Sequence, residues 1–464
     1  MARPELHIEV LDAPSDPDAA FRVAAGPGCA FLDGRRGAPA LARHSFLCIE
    51  PLATLETKGE DQRLTMEGKP LLAKGAPFEA LRSLLRTWQA APQPTPFPFV
   101  GGAVGYLGYD LGQFVERLPR RAADDVAVPD LWLSAYDSCL VYDAADPVVR
   151  LVRWTGLQGQ DADRAAARVA RLKRAALGAP ARGAALPEGG TASSSFTREA
   201  YLAAVRRAKE YIAAGDIYQV NLSQRLSIRT KASAPDLFLR LGESSPAPFS
   251  AYLDTGPFQV LSASPERFLR VDGGHVETRP IKGTRPRGKT PAEDRRLADE
   301  LVRSEKDNAE LAMIVDLERN DLGRVCQYGT VRVSRARGLE TFPTVHHLVA
   351  TVEGELDAGR DVVELLQAAF PGGSITGCPK IRAMEIIDEL EPVRRGVYTG
   401  AIGYFGFDGR VDLSIAIRLA MLRDGVAYVP VGGGIVADSD PEAEYEETMA
   451  KAAGWIDVLG GKER

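Results

Sequence analysis

The chain reads as an α+β fold, and three observations carry that reading. Residues 1–174 are mostly short β-prone runs broken by Gly and Pro, with few helix signals. Helix signals then group together around residues 290–317 instead of alternating one by one with strands, which speaks against a doubly wound parallel sheet. At 464 residues and 50.0 kDa the chain can bury a large core, so two domains or two interlocked subdomains are expected.

In chain order, Gly101 to Asp110 puts small residues where backbones approach closely. Tyr136 to Tyr142, rich in aromatic and apolar side chains, is expected as one largely buried strand. Asp161 to Ala176 carries a helical Ala/Arg pattern. Residues 175–196 are rich in Gly, Ala, Pro and Ser and read as a linker between an N-terminal region, 1–174, and a second region, 197–464. Thr197 is suited to cap a helix whose Tyr201, Ala204, Val205, Ala208 and Ile212 form one apolar stripe, closed by Gly215. Val220 to Ile228 alternates as a strand does. Thr290-Pro291-Ala292-Glu293 is a capping box with proline at the first helical position, opening a helix to about Arg303. Ser304, followed by Glu305 and Asp307, starts another that runs to about Leu317.

Bulk properties exclude several classes. A net charge of -6 argues against a nucleic-acid-binding surface. The N-terminal MARPELHIEV has no apolar core of a signal peptide. Residues 87–109 carry no charge, but the prolines and glycines crowding them rule out a membrane-spanning helix. The five cysteines are scattered with no C-x-x-C pair, which points to reduced thiols in a cytoplasmic protein and away from a zinc site or disulfide framework.

The most informative residue is Lys282, in Pro280-Ile281-Lys282-Gly283-Thr284-Arg285-Pro286-Arg287-Gly288. Flanking Pro and Gly suggest a loop. An ammonium among other cations and partly withdrawn from water loses its proton more easily, which frees a nucleophilic amine. A basic, phosphate-binding or solvated loop is the alternative. Glu266, in Ser264-Pro265-Glu266-Arg267-Phe268, follows an apolar strand and can point into a cleft, or else pair with Arg267 or Arg270. Glu310 sits in a largely apolar turn of the helix from Ser304, either as a partly buried ligand or at the edge of a solvated face.

Asp440-Pro441-Glu442 is a strong helix start, and Glu444, Glu447 and Lys451 then share one face. Two carboxylates at that spacing suit one hard cation such as Mg²⁺, and an exposed Glu447-to-Lys451 ladder is the alternative. Before that helix, Gly432-Gly433-Gly434 leaves backbone N–H groups open to an anion, unless it is only a turn. Arg418, ending the apolar run Leu413 to Ile417, is a candidate carboxylate clamp or a strand end reaching water.

Taken together and in this order, SPERF at 264, PIKGTRPRG at 280, DLERNDLGR at 316, FPGGSITGCPK at 370, YTGAIGY at 398, IAIR at 415 and GGGIVADSDPEAEYEET at 432 resemble the chorismate-utilising enzymes. The likeness is strong over residues 196–459 and extends more weakly to Arg43–Leu47 and Gly101–Asp110. It implies two interlocked subdomains with large, mainly antiparallel sheets packed face to face and helices outside. It also implies a branch. The anthranilate-forming members have alanine where this chain has Lys282, so the branch that forms 4-amino-4-deoxychorismate for folate biosynthesis is favoured, with the anthranilate-forming branch as the alternative. The hydroxylating members place a water-activating lysine at the position of Gln219, and glutamine is no such base.

The resemblance assigns Lys282 as nucleophile and Glu266 as acid. It assigns Glu310, Glu444 and Glu447 to Mg²⁺. Gly283, Thr284, Tyr398, Arg418 and Gly434 match substrate-contacting positions, to which His347, Thr376, Gly432 and Lys451 are added. Cys378 departs from the commoner alanine at its position. The chain contains no glutaminase nucleophile elbow, so a separate glutamine amidotransferase subunit is expected to supply ammonia.

Overall fold

A computed structural model describes residues 3–37, 41–179 and 189–461. Two twelve-stranded sheets form the body. One runs from an edge at Glu5–Leu11 to Ser193–Ser194, the other from Ile281–Pro286 to Lys69–Lys74, and the pairings within both are antiparallel. Their facing sides share one core, in which Phe46 of the first sheet meets Tyr404 of the second at 6.3 Å between ring centroids. Behind the first sheet a separate core joins Phe31, Tyr252 and Leu261 to Phe21, Leu172, Phe238 and Trp455 of four helices. The α+β class and the face-to-face sheets with outer helices are as the sequence implies.

Each sheet is one block of strands from before residue 175 joined to one block from after residue 192, at Ala30–Asp33 against Phe249–Asp254 in the first sheet and at Gly102–Leu107 against Ala401–Gly406 in the second. Of the expected linker, residues 180–188 lie outside the described residues. Its flanks are tied down: Ala175 and Ala176 are buried at the end of the helix Ala162–Ala176, and Ser193–Ser194 pairs with Leu226 and Ser227.

The run Tyr136 to Tyr142 differs from expectation. It is two strands, Leu131–Tyr136 in the second sheet and Ser138–Asp143 in the first, hinged at Asp137. Aromatic and apolar content marks burial equally well in either sheet, so the break leaves no trace in hydropathy. Asp137 is buried and takes a two-pronged grip from the buried Arg168 guanidinium, plus the Gln160 amide at 2.6 Å and the Ser138 hydroxyl at 3.0 Å. The chain crosses between sheets again at Pro265-Glu266, between Gln259–Ser264 and Arg267–Asp272, and at residues 416–418, between Val411–Ile415 and Leu419–Arg423.

The Lys282 segment is likewise not a loop but the strand Ile281–Pro286, at the open edge of the second sheet against Val345–Glu355. An edge strand tolerates Pro280 and Pro286 because one side makes no ladder. The register slips between Lys282 and Thr284, where Gly283 takes φ +80° as bulges require. Helix boundaries follow their caps: Thr197, Thr290, Ser304 and Asp440 each accept a backbone N–H. The reciprocal arm of the Thr290 box goes one residue further back, from Lys289 N–H to Glu293. The helix from Ser304 runs to Gly323, past the expected end near Leu317, because Leu322 is buried and prolongs its packing face. Among the described residues no helix is long and apolar enough to cross a membrane, and all five cysteines are free.

Replacing Asp137 with alanine leaves the Arg168 charge buried without its carboxylate. Such a change costs about 3–5 kcal/mol, read as a lowered urea midpoint with unchanged slope.

Candidate active site

The two later crossovers meet. Ile415 N–H donates to the Glu266 carbonyl at 3.0 Å, and Ala263 N–H to the Arg418 carbonyl at 3.0 Å, so Glu266 and Arg418 lie side by side on the seam between sheets. Glu266 is 4% exposed and pairs with neither Arg267, which is held by Asp412 and Glu277, nor Arg270, which meets Asp272. Its carboxyl receives the Ile281 N–H at 3.4 Å. Burial pushes its pKa up to about 7, against opposing pulls from the Ser374 hydroxyl nearby and the Lys282 ammonium. A carboxyl in that state has a proton to give at neutral pH.

Lys282 reaches into the same space from the edge strand. Among the described residues its ammonium has one hydrogen bond, to the Ser374 carbonyl at 3.0 Å, and no ion pair. Burial lowers its pKa, against the attraction of Glu310 and Glu266. The arginines following it do not cause this. Arg285 turns to Glu300 and Asp307, and Arg287 to Asp294.

Carboxylates line one side. Glu310 is half-buried, and burial raises its pKa. Glu444 is buried, accepts from the Ser439 hydroxyl at 2.6 Å, and is raised by burial and by Glu447. Glu447 is exposed and pairs with Lys451 at 2.7 Å, so the expected ladder exists alongside the buried acid. Lys451 also donates to the Gly432 carbonyl at 2.8 Å. Among the described residues no three such groups close into a ready-made metal cage. The donor set nevertheless fits Mg²⁺. The ion takes one or two carboxylates and fills the rest with water and substrate oxygens, and Glu310, Glu444 and Glu447 crowd like charge beside the Lys282, Lys306 and Lys451 ammoniums.

The glycine triplet lies inside the strand Val426–Ile435, not beyond its end, paired to Leu222 and its neighbours. A Cβ at Gly433 would stand 3.2 Å from Glu444 Oε2, and one at Gly434 2.6 Å from Gln219 Nε2. The triplet therefore keeps space open between the acids and the buried Gln219, whose side-chain amide atoms make no hydrogen bond among the described residues. Arg418 holds φ +50° and is half-buried; its guanidinium has no hydrogen-bond or ion-pair partner among the described residues, and burial lowers its pKa. An unpaired guanidinium of this kind can bind a carboxylate in two-pronged fashion. Beside it His347, whose Nδ1 meets the Thr284 hydroxyl at 2.9 Å, is driven down to about 3 by burial and then by Arg418, so its ring is neutral. Tyr398 is buried, with its phenol pushed up to about 12 by burial. The Thr376 hydroxyl is committed inside its own turn, donating to Gly372 and Gly373 carbonyls at 3.0 and 3.3 Å.

Sequence reasoning missed Ser374, Asn221 and Glu318. The first two act through backbone and amide groups that carry no charge signal. Glu318, inside DLERNDLGR, is buried on the Thr278 hydroxyl at 3.0 Å and raised well above the carboxylate range by burial and by Glu266. A separate cavity of about 450 Å³ opens between the sheets, lined by Asp33, His44, Phe249, Arg267 and Tyr404 among others, and by none of the expected site residues.

Comparison with known proteins identifies the family. A family profile described as chorismate binding enzyme matches residues 28–457. The chain is 41% identical to aminodeoxychorismate synthase component 1 of Bacillus subtilis, over 91% of this chain and 89% of the relative. It is 48% identical to anthranilate synthase component 1 of Thermus thermophilus, over 76% of each. Its fold superposes on the crystal structure of anthranilate synthase component I from Streptococcus pneumoniae with a TM-score of 0.80 at 31% identity, covering 89% of this chain and 91% of that one. With nearly the whole chain matched, the protein belongs to the chorismate-binding enzyme family.

Proposed function

We propose that this chain aminates chorismate at C4, giving 4-amino-4-deoxychorismate through a temporary bond to Lys282. The observation that supports this most is the half-buried Lys282 amine, free of any ion pair among the described residues and set beside a carboxyl that keeps its proton near neutrality. Glu266 passes that proton to the C4 hydroxyl, which leaves as water. The Lys282 lone pair forms a bond to C2 while the ring double bonds shift towards C4. Ammonia then bonds to C4, the double bonds shift back, and the C2–nitrogen bond breaks. The extra proton on the new amine returns to Glu266, so both groups end as they began. Arg418 and the Gly434 backbone are suited to the substrate carboxylates. Glu310, Glu444 and Glu447 would hold Mg²⁺, which when bound supplies positive charge to the ring carboxylate. A glutamine amidotransferase subunit is the proposed source of ammonia, as the designation component 1 of the relatives suggests.

Anthranilate synthesis is the second reading, favoured by the 48% identity to the Thermus thermophilus protein. Direct attack of ammonia at C2 has no use for a second nucleophile, so Lys282 weighs against it.

Purified chain given chorismate, Mg²⁺ and an ammonium salt should release an amino product with the mass of chorismate in which hydroxyl is exchanged for amine. Fluorescent anthranilate appearing instead would favour the second reading. Lys282→Ala should lose 4-amination by at least about 100-fold, with no heavier polypeptide in intact-mass spectra of quenched turnovers. Glu310→Gln or Glu447→Gln should raise the Mg²⁺ concentration needed for half-maximal rate roughly 10-fold or more.

Glu266 generates a pH prediction. The unfolded carboxyl ionises near 4.5 and the folded one near 7, so between those values the native state binds the extra proton and stability falls as pH rises. Glu266→Gln should therefore gain roughly 2–3 kcal/mol relative to the parent between pH 5 and pH 8 in urea titrations. The parent's turnover should fall above pH 7 as the same proton is lost.

A further inference from the structure

We propose that Asn221 is a positioning residue for the nucleophile: through the Ser374 carbonyl it fixes where the Lys282 amine sits. The inference rests on the reading that Lys282 attacks the ring.

The Ser374 carbonyl accepts from two donors, Asn221 Nδ2 at 2.8 Å and Lys282 Nζ at 3.0 Å. A carbonyl oxygen has two lone pairs, so one donor on each fixes the direction of the other. Lysine needs such a fix, because its stem is flexible and its three donors rotate. Glu310, Glu266 and Glu447 all attract the ammonium, with Lys451 opposing them. A carboxylate partner would hold the proton on the nitrogen. An amide carbonyl is the better anchor. A neutral amine donates one N–H to it and keeps its own lone pair free to point elsewhere.

Asn221 is itself held from behind. Its N–H donates to the Thr376 carbonyl at 2.8 Å, and its carbonyl accepts from Arg395 Nη2 at 2.8 Å. Arg395, 5% exposed, also donates to the Ile375 carbonyl at 3.1 Å and is locked in turn by Glu391 at 2.6 and 2.9 Å. Residues 374, 375 and 376 are thus each tied by carbonyl to Asn221 or Arg395 before any substrate arrives. Geometry set in this way is not left to be found during the reaction.

The test uses Asn221→Leu, similar in size and without a donor, and Asn221→Ala, with Lys282→Ala alongside, all assayed on the full chain with chorismate, ammonium salt and Mg²⁺. Both Asn221 variants should lose about 10- to 100-fold in kcat, with the KM for chorismate within about 2-fold and the build-up of the Lys282 adduct slowed to match. A general loss of structure would not leave KM intact while slowing adduct formation. Parental kcat in either folded Asn221 variant, with Lys282→Ala inactive, overturns this inference alone. Loss confined to KM also overturns it, since Asn221 would then be a substrate contact. Full activity of Lys282→Ala removes the reading beneath it as well.

Discussion

Burial of charge without full compensation is the constraint on which this molecule's chemistry depends. Lys282, Glu266, His347 and Arg418 are each shifted towards the neutral form by loss of water, and in each burial is the largest cause. Ordinary buried charges in the same protein are treated differently. Asp137 meets Arg168, Arg267 meets Asp412 and Glu277, and Arg395 meets Glu391, all in close pairs. The contrast separates groups tied into ion pairs from groups that burial alone shifts. An unpaired buried ionisable group destabilises a protein, and such groups cluster at functional sites.

The sheets explain how such groups are kept dry and together. Each is too wide to bury both faces by itself, and helices cover the back of the first. Where a strand leaves one sheet for the other, its backbone turns through the interior and its side chains no longer alternate between core and solvent. Glu266 and Arg418 sit on two such passages joined by backbone hydrogen bonds, and the glycine triplet opens space beside them. Lys282 comes in from an edge strand whose bulge at Gly283 re-aims the chain.

Much of this was legible in the residues. Capping signals placed helix starts to within a residue, because an N-cap is a local hydrogen bond written in the side chain itself. The resemblance assembled Lys282, Glu266, Glu310 and Glu444 from far apart in the chain, and they do share one region of the structure. What stayed hidden depends on long-range partners. The hinge at Asp137 requires Arg168 and Gln160. The Lys282 strand requires Val345–Glu355 beside it. The role of the Ser374 carbonyl is invisible to any reading of side-chain types.

Building each sheet from one early and one late block of strands has a consequence for how the polypeptide reaches its native state. The partner of Gly102–Leu107 is Ala401–Gly406, and that of Ala30–Asp33 is Phe249–Asp254, so neither half of the chain completes a sheet by itself. A ribosome must pass residue 254 before the first sheet can close and residue 406 before the second can, and apolar edges wait exposed meanwhile. Contacts this distant in sequence make folding slow and the nascent chain prone to sticking.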